Sequence, residues 1–136
     1  MKDKLVTAAA VLIGLLVVPV RVLPHHSATI YDRDKQITLR GTVMEFKLIN
    51  PHPHVFFRVK DEAGNVVEWI GDSARAPSQW FNSGWGANAL KPGDTITITG
   101  APTKDGRPML QIRKIVTPNG KEWTEGVAGT PGAPRP

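Results

Sequence analysis

The chain contains no cysteine. That excludes a disulfide framework, a thiolate zinc site and a thiol nucleophile. Tyrosine occurs once and histidine four times in 136 residues. Familiar catalytic signatures are missing as well: there is no Ser-His-Asp spacing, Gly-x-Ser-x-Gly, His-Glu-x-x-His or phosphate loop. Asp72, Glu68 and the histidines are the available acids and bases. Glu68, however, alternates with Val67 and Trp69, as an outward strand charge does. The chain therefore reads as a binding or structural protein, not an enzyme.

Strong charge of one sign is also lacking. Seventeen Lys and Arg face twelve Asp and Glu. Lys2, Lys4, Arg21 and Asp3 fall in the first 24 residues, which leaves 14 − 11 = +3 for the rest. So small an excess is no nucleic-acid footprint. Arg40, Arg58, Lys60, Arg113 and Lys114 read as solvated strand faces.

What is present begins with an export segment, residues 1–24. Leu5 to Val18 is a run of fourteen residues without charge after a basic start. A basic start and a short apolar run form the secretory pattern, and a spanning helix needs about 20 residues. Val22-Leu23-Pro24 offers no small residue before His25. Either the segment is cleaved near His25, or residues 5–23 remain as an inner-membrane anchor. Both readings put the folded part outside the cytoplasm, in the periplasm.

Residues 25–123 read as one domain. Residues 37–48 form a long strand with Ile37, Leu39, Gly41 and Val43 on one face, then Met44, Phe46 and Leu48. A glycine beside a face switch predicts a bulge or sharp bend. Residues 54–60 and 66–70 are strands joined by the Asp61–Asn65 hairpin loop. A short helix is expected over 78–83, with Pro77 at its start and Gly84 beyond its end. Strands follow at 95–99 and 109–116, separated by turn chemistry. Three strands, a helical connection and two strands is the order of a small five-stranded OB-like Greek-key barrel, an all-β fold. An open β-sandwich is the alternative. Trp80 and Phe81 are expected to plug the barrel end. Trp85, between two glycines, is either core or an exposed stacking platform. From Thr124 to Pro136 the Gly/Pro-rich tail has the composition of a disordered segment.

Several elements together resemble a family of small exported bacterial proteins of unknown function. They are His25-His26-Ser27, Tyr31-Asp32, Gly41-Thr42-Val43, Asn50-Pro51-His52, Trp69, and Pro92-Gly93-Asp94 with Gly100 and Asp105-Gly106. The chain departs from that pattern at Ala28, where an aromatic is expected, and at Pro24, where a small residue is expected. The resemblance implies an exported β-barrel and no particular chemistry.

The histidines come in two pairs, His25-His26 and His52-Pro53-His54. Side chains at i and i+2 of an extended backbone share a face, and Pro51 and Pro53 favour extension. If cleavage frees the His25 amine, amine and imidazole form a chelate that His26, His52 or His54 completes. Nitrogen-rich, sulfur-free ligation suits Cu(II), with Zn(II) and Ni(II) behind it. Met44 and Met109 read as core filling. The competing readings are a metal-free module for a peptide, glycan or envelope protein, using residues 80–85, and a structural envelope protein with solvated histidines. A membrane contact is expected only if the N-terminal segment stays on.

Overall fold

The computed structural model describes residues 30–126. Six strands form one sheet: β1 (Ile37–Lys47), β2 (His54–Lys60), β3 (Val66–Asp72), β4 (Thr95–Pro102), β5 (Met109–Val116) and β6 (Glu122–Thr124). The short helix α1 (Pro77–Asn82) lies between β3 and β4, one residue earlier than the sequence predicts. The sheet runs β3-β2-β1-β4-β5-β6, and a parallel pairing of β3 with β5 closes five strands into a barrel. This closed all-β barrel replaces the open-sandwich alternative.

The two meanders follow from alternating apolar residues. Val55 and Phe57 on β2, Ile96 and Ile98 on β4, and Leu110, Ile112 and Ile115 on β5 are fully buried and fill the barrel. Leu110 and Ile112 obey period two, whereas Ile115 does not. The mismatch is resolved by a bulge: Thr99 faces Lys114 and Gly100 faces Ile112, so Arg113 is the extra residue. A Cβ on Gly100 would collide with the Gln111 carbonyl, so only glycine admits the crossing strand there. A second bulge, at Met44 on β1, separates Val43 from Glu45 against β2. It explains the expected face switch, which lies three residues beyond Gly41. Gly41 itself is required because a Cβ would come within 2.7 Å of the Arg58 carbonyl.

Trp80 of α1 seals one end of the core. Its ring stacks on Trp123 at 3.9 Å and 16°, and meets Trp85 edge-on at 6.1 Å. Trp80 and Trp85 are buried. Trp85 is thus core, which removes it as a stacking platform. Phe81, expected to share the plug, is instead 59% exposed, because helical spacing points it away from Trp80.

Trp123 lies on β6, a strand the sequence reading did not contain. Ordered structure also continues past residue 123. Thr124 pairs with Lys114, and Glu125 N–H donates to the Arg113 carbonyl at 2.7 Å. The tail assigned from Thr124 therefore starts no earlier than residue 127, and its remainder lies outside the described residues, as does the export segment.

If β6 is an integral wall of the core, Trp123→Ala lowers the unfolding free energy by about 3–5 kcal/mol, measured by urea denaturation. A loss below about 0.5 kcal/mol, the scale of surface substitutions, would make β6 an appendage.

Candidate functional site

The His-Pro-His stretch lies where β1 hands over to β2, on the barrel rim. Pro53 is fully buried, and its carbonyl accepts from Ser73 N–H at 3.0 Å. Burying the proline turns its two neighbours outward by period two. His52 is exposed, while His54, the first residue of β2, is half-buried.

β2 and β3 form a hairpin in which paired residue numbers sum to 126, so His54 faces Asp72. His54 Nε2 lies 3.2 Å from Asp72 Oδ1. A carboxylate offers only acceptors, so this contact favours the tautomer with its proton on Nε2, whose lone pair is on Nδ1. The other carboxylate oxygen, Oδ2, accepts from the Tyr31 hydroxyl at 2.8 Å. Tyr31 is buried, and its backbone bridges Thr103 beside β4. Burial, then the hydrogen bond to Asp72 and its negative charge, push the Tyr31 phenol well above its ordinary value, while Arg107 opposes them. His54 also packs its ring edge against Phe56 at 6.1 Å, and the Lys47 ammonium lies 5.1 Å from the same Phe56 ring.

The rim thus holds a chain of three side chains, Tyr31–Asp72–His54. It can orient an imidazole, present one ring nitrogen to a ligand and neutralise a proton on the other. Of the four predicted metal ligands, the structure places His52 and His54 on the same rim stretch. His25 and His26 lie outside the described residues. Among the described residues, no three His, Asp or Glu side chains converge as a metal-binding group.

Asp72 and Tyr31 were not among the predicted ligands. The signal for Asp72 was present in the sequence: a hairpin turning about Ala63 pairs position 54 with position 72. Tyr31 had no such signal, because the bridge to Thr103 depends on barrel closure.

Ser73, next to Asp72, ties the rim to the core. Its hydroxyl donates to the Arg75 carbonyl (3.2 Å) and accepts from Arg75 N–H (3.0 Å) and the Trp80 indole N–H (2.9 Å). The strand residues expected to be solvated divide. Arg58 pairs with Glu68 at 2.9 Å and Lys114 with Glu122 at 2.8 Å, all in solvent. Arg113 is half-buried and donates to the Arg33 carbonyl at 2.7 Å.

A model described as a family of unknown function, DUF6152, matches residues 12–110. No curated protein matches the chain. A solved structure, "Crystal structure of tRNA fluorescent labeling enzyme", is similar at 24% identity and a TM-score of 0.39; the match covers 61% of this chain and 18% of that one.

The raised Tyr31 value fixes a sign. The fold favours the neutral phenol, so this stabilisation is complete below the ordinary phenol value of 10.0 and erodes as pH rises above it. Tyr31→Phe cannot ionise. The stability advantage of wild type over Tyr31→Phe is therefore expected to hold constant to about pH 10 and then shrink by about 1.4 kcal/mol per pH unit. Urea denaturation from pH 8 to 11 reads it, and a difference that stays flat to pH 11 counts against the buried phenol–carboxylate contact.

Proposed function

The chain belongs to DUF6152, a family of unknown function, and we propose that it is an exported, periplasmic binding module whose histidines hold a transition-metal ion, Cu(II) ahead of Zn(II) and Ni(II). The observation that carries this reading is the contact between His54 Nε2 and Asp72. Metal-binding histidines almost always give their second ring nitrogen to a carboxylate or carbonyl, which fixes the tautomer and raises ligand basicity. Here Asp72 lies 3.2 Å from Nε2 and is held by Tyr31, so the carboxylate is in place to take that role while Nδ1 serves the ion.

His52 supplies a second imidazole two residues away, held by the buried Pro53. His25 and His26 supply the rest. His26 precedes Tyr31 by five residues, a span of up to about 17 Å when extended, and Tyr31 is itself bonded to Asp72. Cleavage before His25 adds an amine to the donor set. All-nitrogen ligation ranks copper first on intrinsic affinity. The apolar run from Leu5 to Val18 after a basic start supports export. With no catalytic motif in the chain, the role is to bind the ion rather than to turn over a substrate.

Isothermal titration of purified protein with Cu(II) is expected to give one ion per chain. His54→Ala is expected to weaken binding more than about tenfold, or 1.4 kcal/mol. Asp72→Asn, which keeps the size and removes the charge, should cost about 10- to 100-fold. Affinity unchanged in both variants would overturn the proposal.

A further inference from the structure

A second feature lies on the outer side of β5, beside the Tyr31–Asp72–His54 chain. A cleft of about 540 Å³ opens there, lined by Arg33, Arg75, Arg113, Gln79, Gln111 and Glu125, among others. The volume is inside the range of about 300–1,000 Å³ usual for small-molecule sites. Three chain segments build it: the lead-in to β1 carrying Arg33, the β3–α1 loop carrying Arg75, and the β5–β6 edge.

Three arginines enter this cleft against one carboxylate. None of the three forms an ion pair among the described residues, whereas Arg58 and Arg107 are both paired, with Glu68 and Asp105. The two half-buried guanidiniums are held in place by neutral carbonyls. Arg113 Nη2 donates to the Arg33 carbonyl, and Arg75 Nη2 donates to the Gly126 carbonyl. Such anchoring leaves the remaining N–H groups of each fork free to point elsewhere, with little rotamer entropy left to lose. Arg113 is also the bulged residue of β5, and bulges re-aim side chains. Its backbone carbonyl is taken by Glu125 N–H.

The carboxylate present is already occupied: Glu125 Oε1 accepts from the Ala74 N–H at 3.0 Å. Burial pushes the Glu125 carboxyl above its ordinary value, against the pull of Arg75 and Arg113.

The floor of the cleft is the second, independent observation. Gln111 is only 8% exposed. Its side-chain amide makes no hydrogen bond to the described residues, and among those residues no side-chain polar atom is both sealed off and without a partner. Gln111 lines the cleft, which makes its amide available there. A buried strand residue with a spare amide beneath unpaired guanidiniums costs stability without a ligand and offers hydrogen bonds to one.

We propose that this cleft is a binding site for a small molecule bearing more than one anionic oxygen, a polycarboxylate or a phosphate ester. Arg75 and Arg113 grip its anionic oxygens in the bidentate manner guanidinium geometry allows, Arg33 adds charge from the rim, and the Gln111 amide reads a polar group at the floor. The site is distinct from the histidine rim and needs no metal.

The test uses the full chain, freed of metal by chelation and dialysis, at about 0.15 M salt so that diffuse charge effects are screened. Citrate and inorganic phosphate are titrated separately by calorimetry, which distinguishes the polycarboxylate from the phosphate source. Nuclear magnetic resonance locates the binding. One of the two anions is expected to bind and to shift the Gln111 side-chain amide and the Ala74 N–H. Arg75→Gln and Arg113→Lys, the second keeping charge but losing the fork, should each weaken binding by about tenfold or more. Arg58→Gln on the far face should leave it within about twofold, since a remote surface charge contributes little. No binding of either anion overturns the proposal. So do shifts scattered over surface lysines, or equal losses in Arg58→Gln and Arg75→Gln. Where a variant fails to fold, the wild-type shift map alone decides between these outcomes.

Discussion

The Ser73 hydroxyl is the contact on which the functional face depends. A serine hydroxyl has one proton and two lone pairs, and all three are used in the interior, on the Arg75 backbone and the Trp80 indole. Its own N–H goes to the carbonyl of Pro53. One small residue thereby joins four things: through its hydroxyl the tryptophan that closes the core and the loop that carries Arg75, and through its backbone the proline that holds the histidine stretch and Asp72. An indole N–H buried without a partner costs about 1–3 kcal/mol, so Ser73 is retained by the core as strongly as by the rim. The histidine rim and the arginine cleft are two sides of one loop, residues 72–75, and share its rigidity.

Much of the barrel was legible in the chain because its signals are local. The strand alternations, the Asp61–Asn65 hairpin and the Pro77–Gly84 brackets of α1 each act over a few residues, and each stands within a residue or two of its predicted place in β1, β2, β5 and α1. β3 and β4 run longer than predicted, to Asp72 and Pro102, because pairing with β5 recruits residues with little strand propensity of their own. β6 was missed for the same reason. Glu122-Trp123-Thr124 is too short to declare itself and is held by Trp123 stacking on Trp80 from forty-three positions away.

The site was legible by half. The two described histidines were visible as a composition feature, and their outward display followed from the prolines. Their partners were not, since Asp72 and Tyr31 reach His54 only through register and closure. Two flanking glycines leave the tryptophan at position 85 open between core and exposed platform. The Trp85 N–H bond to the Trp80 carbonyl at 2.9 Å and the buried ring decide for core. Arg113 was misread because alternation assigns it to solvent, whereas Leu110, Ile112 and Ile115 can all face inward only if one intervening residue is extra.

A chain that mounts a cleft-lining arginine on a supernumerary residue is unevenly tolerant of changes in length. Losing Arg113 alone would return Leu110, Ile112 and Ile115 to plain alternation, so the barrel interior would survive the deletion intact. The cleft would lose both a guanidinium and the carbonyl that docks Glu125. A one-residue deletion there would therefore remove the arginine from the cleft while leaving the inward side chains of β5 in alternation. The two residues between Ile112 and Ile115 thus tie the length of β5 to the cleft on its outer side, while the core depends only on which side chains face inward.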